Sequence, residues 1–390
     1  MRKYDYIIAG AGLAGLLLAL EMIRSPLRNK KVLLIDKTAK DTNDRTWCFW
    51  NDHGFEFDSI IYKEWEKIRF TTSRSDGQYS VAPYTYKYVR GVDFYTFADK
   101  QLEQAKNFER ILGEISQISP EGFVIVNGER YEADLIFNSL HPSFEQFKYP
   151  KNECYYLLQH FKGYFLQTEE DYFNPGVATF MDFNIEQHRE ARFGYILPFS
   201  KREALVEYTL FSQNLLQKEE YRQELENYIA NQLGIQHYKI LHEEFGIVPM
   251  STYSYEPKIE GKIIRIGTFG GFVKPSSGFA FSRTVKRIQR IVADLDRYGR
   301  VRRSALEGPG KYKLYDSILL SILEKDNTYT KDIFEKMFVN IPASTILRFL
   351  DEESSLLDDF NVIRLFIRDK RFFQATCREL FRSVKRGFKF

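Results

Sequence analysis

Cysteine is scarce in this sequence: Cys48, Cys154 and Cys377 lie far apart and form no CxxC pair. That spacing argues against a disulfide framework or a metal site and fits a reducing cytosol. Long apolar runs are also missing. The most apolar early stretch, residues 13–23, contains Glu21 and follows a glycine loop, so it is too short and too polar to cross a bilayer, and no signal peptide is expected. Any membrane contact is therefore expected to be peripheral. Charge of one sign is lacking too, since 56 Lys and Arg against 53 Asp and Glu leave a net charge of +3. This removes a global electrostatic case for nucleic acid. Internal repeats and low-complexity tracts are absent, which excludes array architectures.

What the chain has in excess is aromatic. With 34 Phe and 25 Tyr the aromatic share reaches 16%, more than a core usually needs and enough to line a large apolar pocket. The length of 390 residues allows two or three intertwined units.

Residues 4–9 (YDYIIA) read as a buried strand running into Gly10-Ala11-Gly12-Leu13-Ala14-Gly15, with an apolar helix to about Arg24. A second buried strand, KVLLI at 31–35, ends in Asp36, twenty-one residues beyond Gly15. This closes a βαβ unit of the size that places an acidic side chain on a ribose. Gly10 permits the tight turn, Gly12 lets the backbone approach a pyrophosphate, and Gly15 allows close helix–strand packing, with the helix N-terminus facing the phosphates. Dinucleotide binding is the strongest reading of these residues; the motif alone does not separate FAD from NAD.

A strand, loop and helix return late in the chain. KIIRI at 262–266 feeds a loop containing Gly267, Thr268, Gly270, Gly271, Ser277 and Gly278, and helical patterning runs from about 279 to 298. In flavoproteins of the aromatic-hydroxylase type a comparable strand ends in Gly-Asp, and Thr268 stands here in place of that Asp. A hydroxyl can still hydrogen-bond a ribityl oxygen, but without charge. Strand-like segments lie at 67–72, 78–86, 123–126, 135–139, 176–183, 192–197 and 204–210. Helical segments lie at 315–323, 331–338, 343–349 and 362–388. The expected fold is α/β: a Rossmann-like FAD-binding unit (1–60, 90–150, 255–302), an inserted, mainly antiparallel β-sheet substrate unit (61–89, 151–254), and a helical C-terminal region (303–390).

Several blocks together resemble the lycopene β-cyclases: Asp44-Arg45-Thr46-Trp47-Cys48-Phe49-Trp50, Tyr88-Val89-Arg90-Gly91, Met181-Asp182-Phe183, Val206-Glu207-Tyr208-Thr209, Glu244-Phe245-Gly246-Ile247-Val248-Pro249-Met250 and the loop GTFGGFVKPSSGF. With the N-terminal fingerprint and Arg348-Phe349-Leu350-Asp351 they span nearly the whole chain in order. Two departures stand out. The family often has His where Arg45 and Trp50 stand, and a second carboxylate where Tyr208 stands. The second departure leaves the proton chemistry of that motif to one carboxylate, Glu207.

The resemblance implies an FAD-dependent isomerase that closes the ends of lycopene into β-ionone rings, giving γ-carotene and then β-carotene. Lycopene and β-carotene are isomers, so the flavin is not a consumed oxidant. A reduced anionic flavin would stabilise passing cationic charge, and NAD(P)H would serve only as reductant. Glu207 is the expected acid or base, its pKa raised by burial; strand alternation puts Leu205, Glu207 and Thr209 on one face. The expected cofactor set is Gly10, Gly12, Leu13, Ala14, Gly15, Asp36, Arg45, Thr46, Gly267, Thr268, Gly270, Gly271, Ser277 and Gly278. Trp47, Phe49, Trp50, Phe272 and Phe279 are the candidates for the polyene pocket, and no metal is expected. A redox flavoenzyme of the same fold, a monooxygenase or isoprenoid reductase, is the alternative, and a non-catalytic flavin-binding protein a third.

The C-terminal tail interleaves Arg364, Arg368, Lys370, Arg371, Arg378, Arg382, Lys385, Arg386 and Lys389 with Leu365, Phe366, Phe372, Phe373, Leu380, Phe381, Val384, Phe388 and Phe390. Such a pattern suits the headgroup region of an anionic membrane. The expected location is therefore cytoplasmic and peripheral, at the inner face of the cell membrane, with lycopene as substrate and no nucleic-acid partner.

Overall fold

Three sheets carry the chain in the computed structural model, which describes residues 2–52, 56–140, 149–150 and 153–385. In the first sheet the strands Ile259–Glu260, Ile263–Arg265, Glu129–Asn138, Arg2–Ala9, Val32–Asp36 and Phe108–Leu112 lie side by side in that order. Arg2–Ala9 is parallel to both of its neighbours. All five residues of Val32–Asp36 are buried, as expected for a parallel strand covered on both faces. On one face Ile8, Val32 and Leu34 pack with Leu16, Leu17 and Leu20 of the helix Leu13–Arg24 and with the helix Phe281–Tyr298. Ile7, Leu33 and Ile35 meet Val124 and Val126 on the other.

The second sheet has seven strands, ordered Tyr238–Ser251, Tyr156–Thr168, Glu203–Ser212, Ala191–Pro198, Val177–Asp182, Lys67–Thr71 and Asp76–Ser80. Its pairings are antiparallel except that of Val177–Asp182 with Lys67–Thr71. One face carries Leu205 and Phe211 against Phe334, Met337 and Ile346 of the C-terminal helices. The other carries Val206, Tyr208 and Leu210 against Tyr221 and Leu225 of the helix Lys218–Asn227. A small third sheet joins Thr46–Asn51, Thr85–Arg90 and Lys63–Trp65.

The chain is thus mixed α/β with a helical C-terminal region, as its sequence pattern indicates. Two segments differ from expectation. The strand expected over 78–86 is two strands in different sheets, Asp76–Ser80 and Thr85–Arg90, because Pro83 between them cannot donate to a ladder. The helix expected over 362–388 is also divided. Leu356–Ile363 and Lys370–Lys385 are separate helices; Asp369 Oδ1 accepts the Arg371 N–H at 2.8 Å and starts the second, as an N-cap carboxylate does. Residues 386–390 and the side chains of Ser383, Val384 and Lys385 lie outside the described residues, so the Val384 and Lys385 side chains and Arg386, Phe388, Lys389 and Phe390 of the tail are not placed.

Candidate functional site

Strand Arg2–Ala9 ends in a glycine turn that opens the helix Leu13–Arg24. Gly10 has φ +100°, a backbone region that L side chains rarely adopt. A Cβ on Gly15 would lie 2.0 Å from the Gly10 carbonyl oxygen, whereas a Cβ on Gly12 would meet nothing within 4 Å. The helix has no side-chain N-cap, so its first N–H groups face open space. That space is a cavity of about 520 Å³ walled by Gly10, Gly12, Leu13, Ala14, Asp36, Lys37, Arg45, Gly267 and Thr268, among others. Backbone donors, a helix N-terminus and nearby cations suit a pyrophosphate.

A second cavity, also of about 520 Å³, adjoins the first. Arg45, Trp47, Thr268, Val273 and Ala280 belong to the walls of both, so a long ligand seated on the glycine turn would present its far end to the second space. The second wall is largely apolar, with Phe161, Phe180, Phe193, Phe211, Phe279, Phe334 and Leu350, and it contains Glu207 and Glu244.

Glu207 is 7% exposed. Burial holds its pKa well above the usual carboxylate range, and the neighbouring Glu244 raises it further. Thr209 Oγ1 donates to Glu207 Oε2 at 3.3 Å, on the face that strand alternation assigns. Tyr208 points to the opposite face, where its hydroxyl accepts from Arg192 Nη1 at 2.9 Å. A carboxylate at that position would not reach Glu207. The second carboxylate comes instead from Glu244 on the strand Tyr238–Ser251, whose Oε2 accepts from Thr46 Oγ1 at 2.9 Å.

The residues singled out from sequence thus divide between the two spaces. Gly10, Gly12, Leu13, Ala14, Asp36, Arg45, Gly267 and Thr268 line the first cavity. Gly15 lies behind the turn. Thr46, Ser277 and Gly278 line the second cavity and not the first, and the hydrogen bond to Glu244 accounts for Thr46. Gly270 and Gly271 face away from both, toward two buried cations. Lys258 Nζ donates to the Gly270 carbonyl at 3.2 Å, and Arg287 Nη1 to that of Gly271 at 2.5 Å. Burial pushes the Lys258 ammonium down to about 8, with Arg287 adding repulsion.

Among the aromatics, Trp47 and Phe279 reach the second cavity, and Phe272 borders the first. Phe49 stacks on Phe281 at 4.4 Å and Trp50 meets Phe279 edge-on at 4.7 Å; both sit one layer behind the cavity. Sequence reasoning saw Glu244 only as part of a family block and gave no role to it, to Tyr86 or to Tyr195. Tyr86 and Tyr195 bring their hydroxyls together at 2.6 Å on the second cavity's wall.

In the C-terminal region, Arg378 Nη2 donates to Ser321 Oγ at 2.8 Å and Arg382 reaches Tyr155 and Glu379, so these two cations are engaged within the protein. Exposed apolar side chains lie on two helices here: Leu356 is 82%, Leu357 75% and Phe360 60% exposed on Leu356–Ile363, and Phe373 is 66% and Phe381 61% exposed on Lys370–Lys385. No helix among the described residues is long and apolar enough to cross a membrane.

Solved structures share this fold. A geranylgeranyl bacteriochlorophyll reductase-like protein of Thermoplasma acidophilum aligns over 99% of this chain and 98% of its own, with a TM-score of 0.60 at 15% identity. The flavin-dependent brominase Bmp2 aligns over 99% of this chain and 100% of its own, with a TM-score of 0.58 at 12% identity. In sequence, a lycopene beta-cyclase of Pantoea ananas is 25% identical over 305 residues, 74% of each chain. The sequence model of the lycopene cyclase protein family matches residues 5–373, and the chain belongs to that family.

Proposed function

We propose that the protein is an FAD-dependent lycopene β-cyclase that closes the ends of the acyclic polyene by proton transfer without net oxidation. The observation that carries this reading is a buried carboxyl, Glu207, whose pKa burial and Glu244 raise, inside an apolar cavity that shares a wall with the glycine-turn cavity. The residues of the first cavity fit a dinucleotide: the space over Gly12 is open and the adjacent helix start is uncapped. Gly10, Gly12, Leu13, Ala14 and Asp36 would hold the pyrophosphate and ribose, and Arg45, Gly267 and Thr268 the part toward the second cavity. When bound and reduced, the flavin supplies negative charge beside a passing cation, with NAD(P)H as the reductant.

The chain's own residues do the rest. The apolar wall excludes water, which would otherwise capture a carbocation. Glu207 gives its proton to the terminal double bond, leaving a tertiary cation. The next double bond closes the ring, and loss of a ring proton to a carboxylate restores the starting charge. Trp47 and Phe279 offer aromatic faces along this path. Exposed apolar side chains on Leu356–Ile363 and the exposed Arg364 and Arg368 suit docking on the membrane surface where such a hydrocarbon resides.

The test is anaerobic incubation of purified protein with lycopene, FAD and NAD(P)H. A product of unchanged mass containing β-ionone rings, with no stoichiometric NAD(P)H consumption, supports the reading. Glu207→Gln should keep its flavin and lose activity by on the order of 10²–10⁴-fold. A mass shift by oxygen or hydrogen would favour a redox enzyme of the same fold.

A further inference from the structure

The strand Tyr156–Thr168, second from the edge of its sheet, contains one glycine, and it stands between two acids. Gly163 is in register with Glu207 on one neighbouring strand and with Glu244 on the other. A Cβ built on Gly163 would sit 3.0 Å from Cγ of Glu207, 3.0 Å from Cγ of Glu244 and 3.0 Å from Cδ1 of Leu205. Residues in register on next-but-one strands are about 9–10 Å apart along the hydrogen-bonding direction. Only a missing side chain on the strand between lets two such carboxyls lean together. Gly in a strand interior costs stability and marks close approach, and here the approach is of two acids.

Hydrogen bonding favours the same arrangement. Thr209 donates to Glu207 Oε2 and Thr46 to Glu244 Oε2, which leaves one oxygen of each acid for the other. Glu244 Oε1 is buried with no hydrogen-bond partner among the described residues, and a proton carried by Glu207 would supply its missing donor. Two adjacent carboxylates cannot cheaply ionise together, so one proton held between them is the stable state.

We infer that Glu207 and Glu244 form a one-proton pair across the gap at Gly163, and that this pair, rather than Glu207 alone, is the acid and base of the proposed cyclisation. The inference rests on that functional reading for its reaction. In the forward step the Glu207 O–H bond breaks and a C–H bond forms at the terminal alkene. Both carboxylates are then ionised beside the cation, which their charge stabilises. When the ring carbon loses its proton, the C–H pair becomes the ring double bond and the proton returns to the pair. No oxidant or reductant enters this balance.

The other groups facing Glu207 are Cys48, Tyr86, Tyr88 and Tyr195, with Asp44 and Arg45 on the same cavity wall and the uncharged Phe334 and Leu350 from the C-terminal helices. Burial pushes the Cys48 thiol up to about 12 and the three phenols higher than usual. They stay neutral while Glu207 titrates. Glu244 is therefore the group whose removal most changes the charge felt by Glu207.

Infrared spectroscopy of the protonated-carboxyl band in wild type, Glu207→Gln and Glu244→Gln, followed against pH, tests the pair without substrate. In wild type the band absent from Glu207→Gln should persist well above the ordinary carboxylate range. In Glu244→Gln, which keeps the shape and removes the charge, it should titrate lower by about one pH unit or more. With lycopene, the alkaline limb of kcat/KM should move by the same amount. Gly163→Ala should move both in the same direction by wedging the acids apart. An unmoved band in Glu244→Gln overturns the pair whether or not lycopene is the substrate. A shifted band without cyclised product from wild type supports the pair and overturns the functional reading instead.

Discussion

Asp36 Oδ2 accepts the backbone N–H of Ala11 at 2.7 Å, tying the end of the second strand to the middle of the glycine turn. Its other oxygen accepts from the Thr38 N–H at 2.9 Å and the Thr38 hydroxyl at 3.0 Å. The carboxylate that spacing offers to a ribose also fixes the turn that faces the phosphates. Each oxygen has two acceptor sites, so both duties are compatible.

The glycines of that turn should separate under mutation. Gly12→Leu fills open space and should fold with nearly unchanged thermal stability while losing bound FAD on purification. Gly15→Ala drives a methyl into the Gly10 carbonyl and should destabilise the protein by about 1–3 kcal/mol, with flavin loss following unfolding. Flavin absorbance after gel filtration and thermal melts of both variants are the measurements. A Gly12→Leu protein carrying a full complement of FAD would show that the ligand lies elsewhere.

The glycine turn was legible because it is local: strand, turn, helix and Asp36 fall within the first 36 residues. The Glu207 face was legible for the same reason, since alternation on one strand fixes it. Glu244 was not. It lies on an edge strand with few buried residues, and its meeting with Glu207 depends on the register of both strands with Tyr156–Thr168. That intervening strand was itself hidden by Gly163 and by Gln159 and Lys162, which interrupt its apolar pattern. Pairing across three strands cannot be read from one strand's periodicity. Gly270 and Gly271 show the complementary case: their motif is visible, but the buried cations that hold them come from residues before and after it.

A pH-dependent stability follows from His160, which is fully buried. Its Nδ1 is 2.5 Å from the Tyr221 hydroxyl. Burial lowers its pKa from 6.5 to about 4, against the opposing pull of Glu190. The depressed folded-state value means that the neutral ring contributes stability above the unfolded pKa of 6.5, and this is lost as pH falls toward about 4. Its share is on the order of 3 kcal/mol across that window. Urea midpoints at several pH values should therefore fall with acid more steeply in wild type than in His160→Gln. Parallel slopes would remove His160 from the acid sensitivity.

The final prediction concerns the membrane face. The basic tail is the obvious candidate in sequence, yet Arg378 and Arg382 are bound to Ser321, Tyr155 and Glu379. The helix Leu356–Ile363 offers a second candidate surface beside the tail's exposed Phe373 and Phe381, because Leu356, Leu357 and Phe360 project into solvent where an isolated protein gains nothing from them. The helix is held in place: Arg348 donates two hydrogen bonds to Asp358, at 3.0 and 2.7 Å. Arg348 sits on the helix Ala343–Leu350, whose last residue borders the cavity of Glu207. Asp358 is thereby linked through Arg348 to a helix whose last residue lines the cavity proposed for the polyene. Changing Leu356, Leu357 and Phe360 together to Ser should leave folding intact, since the side chains are exposed. It should lower flotation with anionic vesicles by on the order of tenfold or more, given about 1.5–3 kcal/mol for each fully buried side chain. Arg382→Gln should float nearly as well as wild type. If the triple variant floats like wild type while Arg382→Gln does not, the tail and not this helix is the membrane contact.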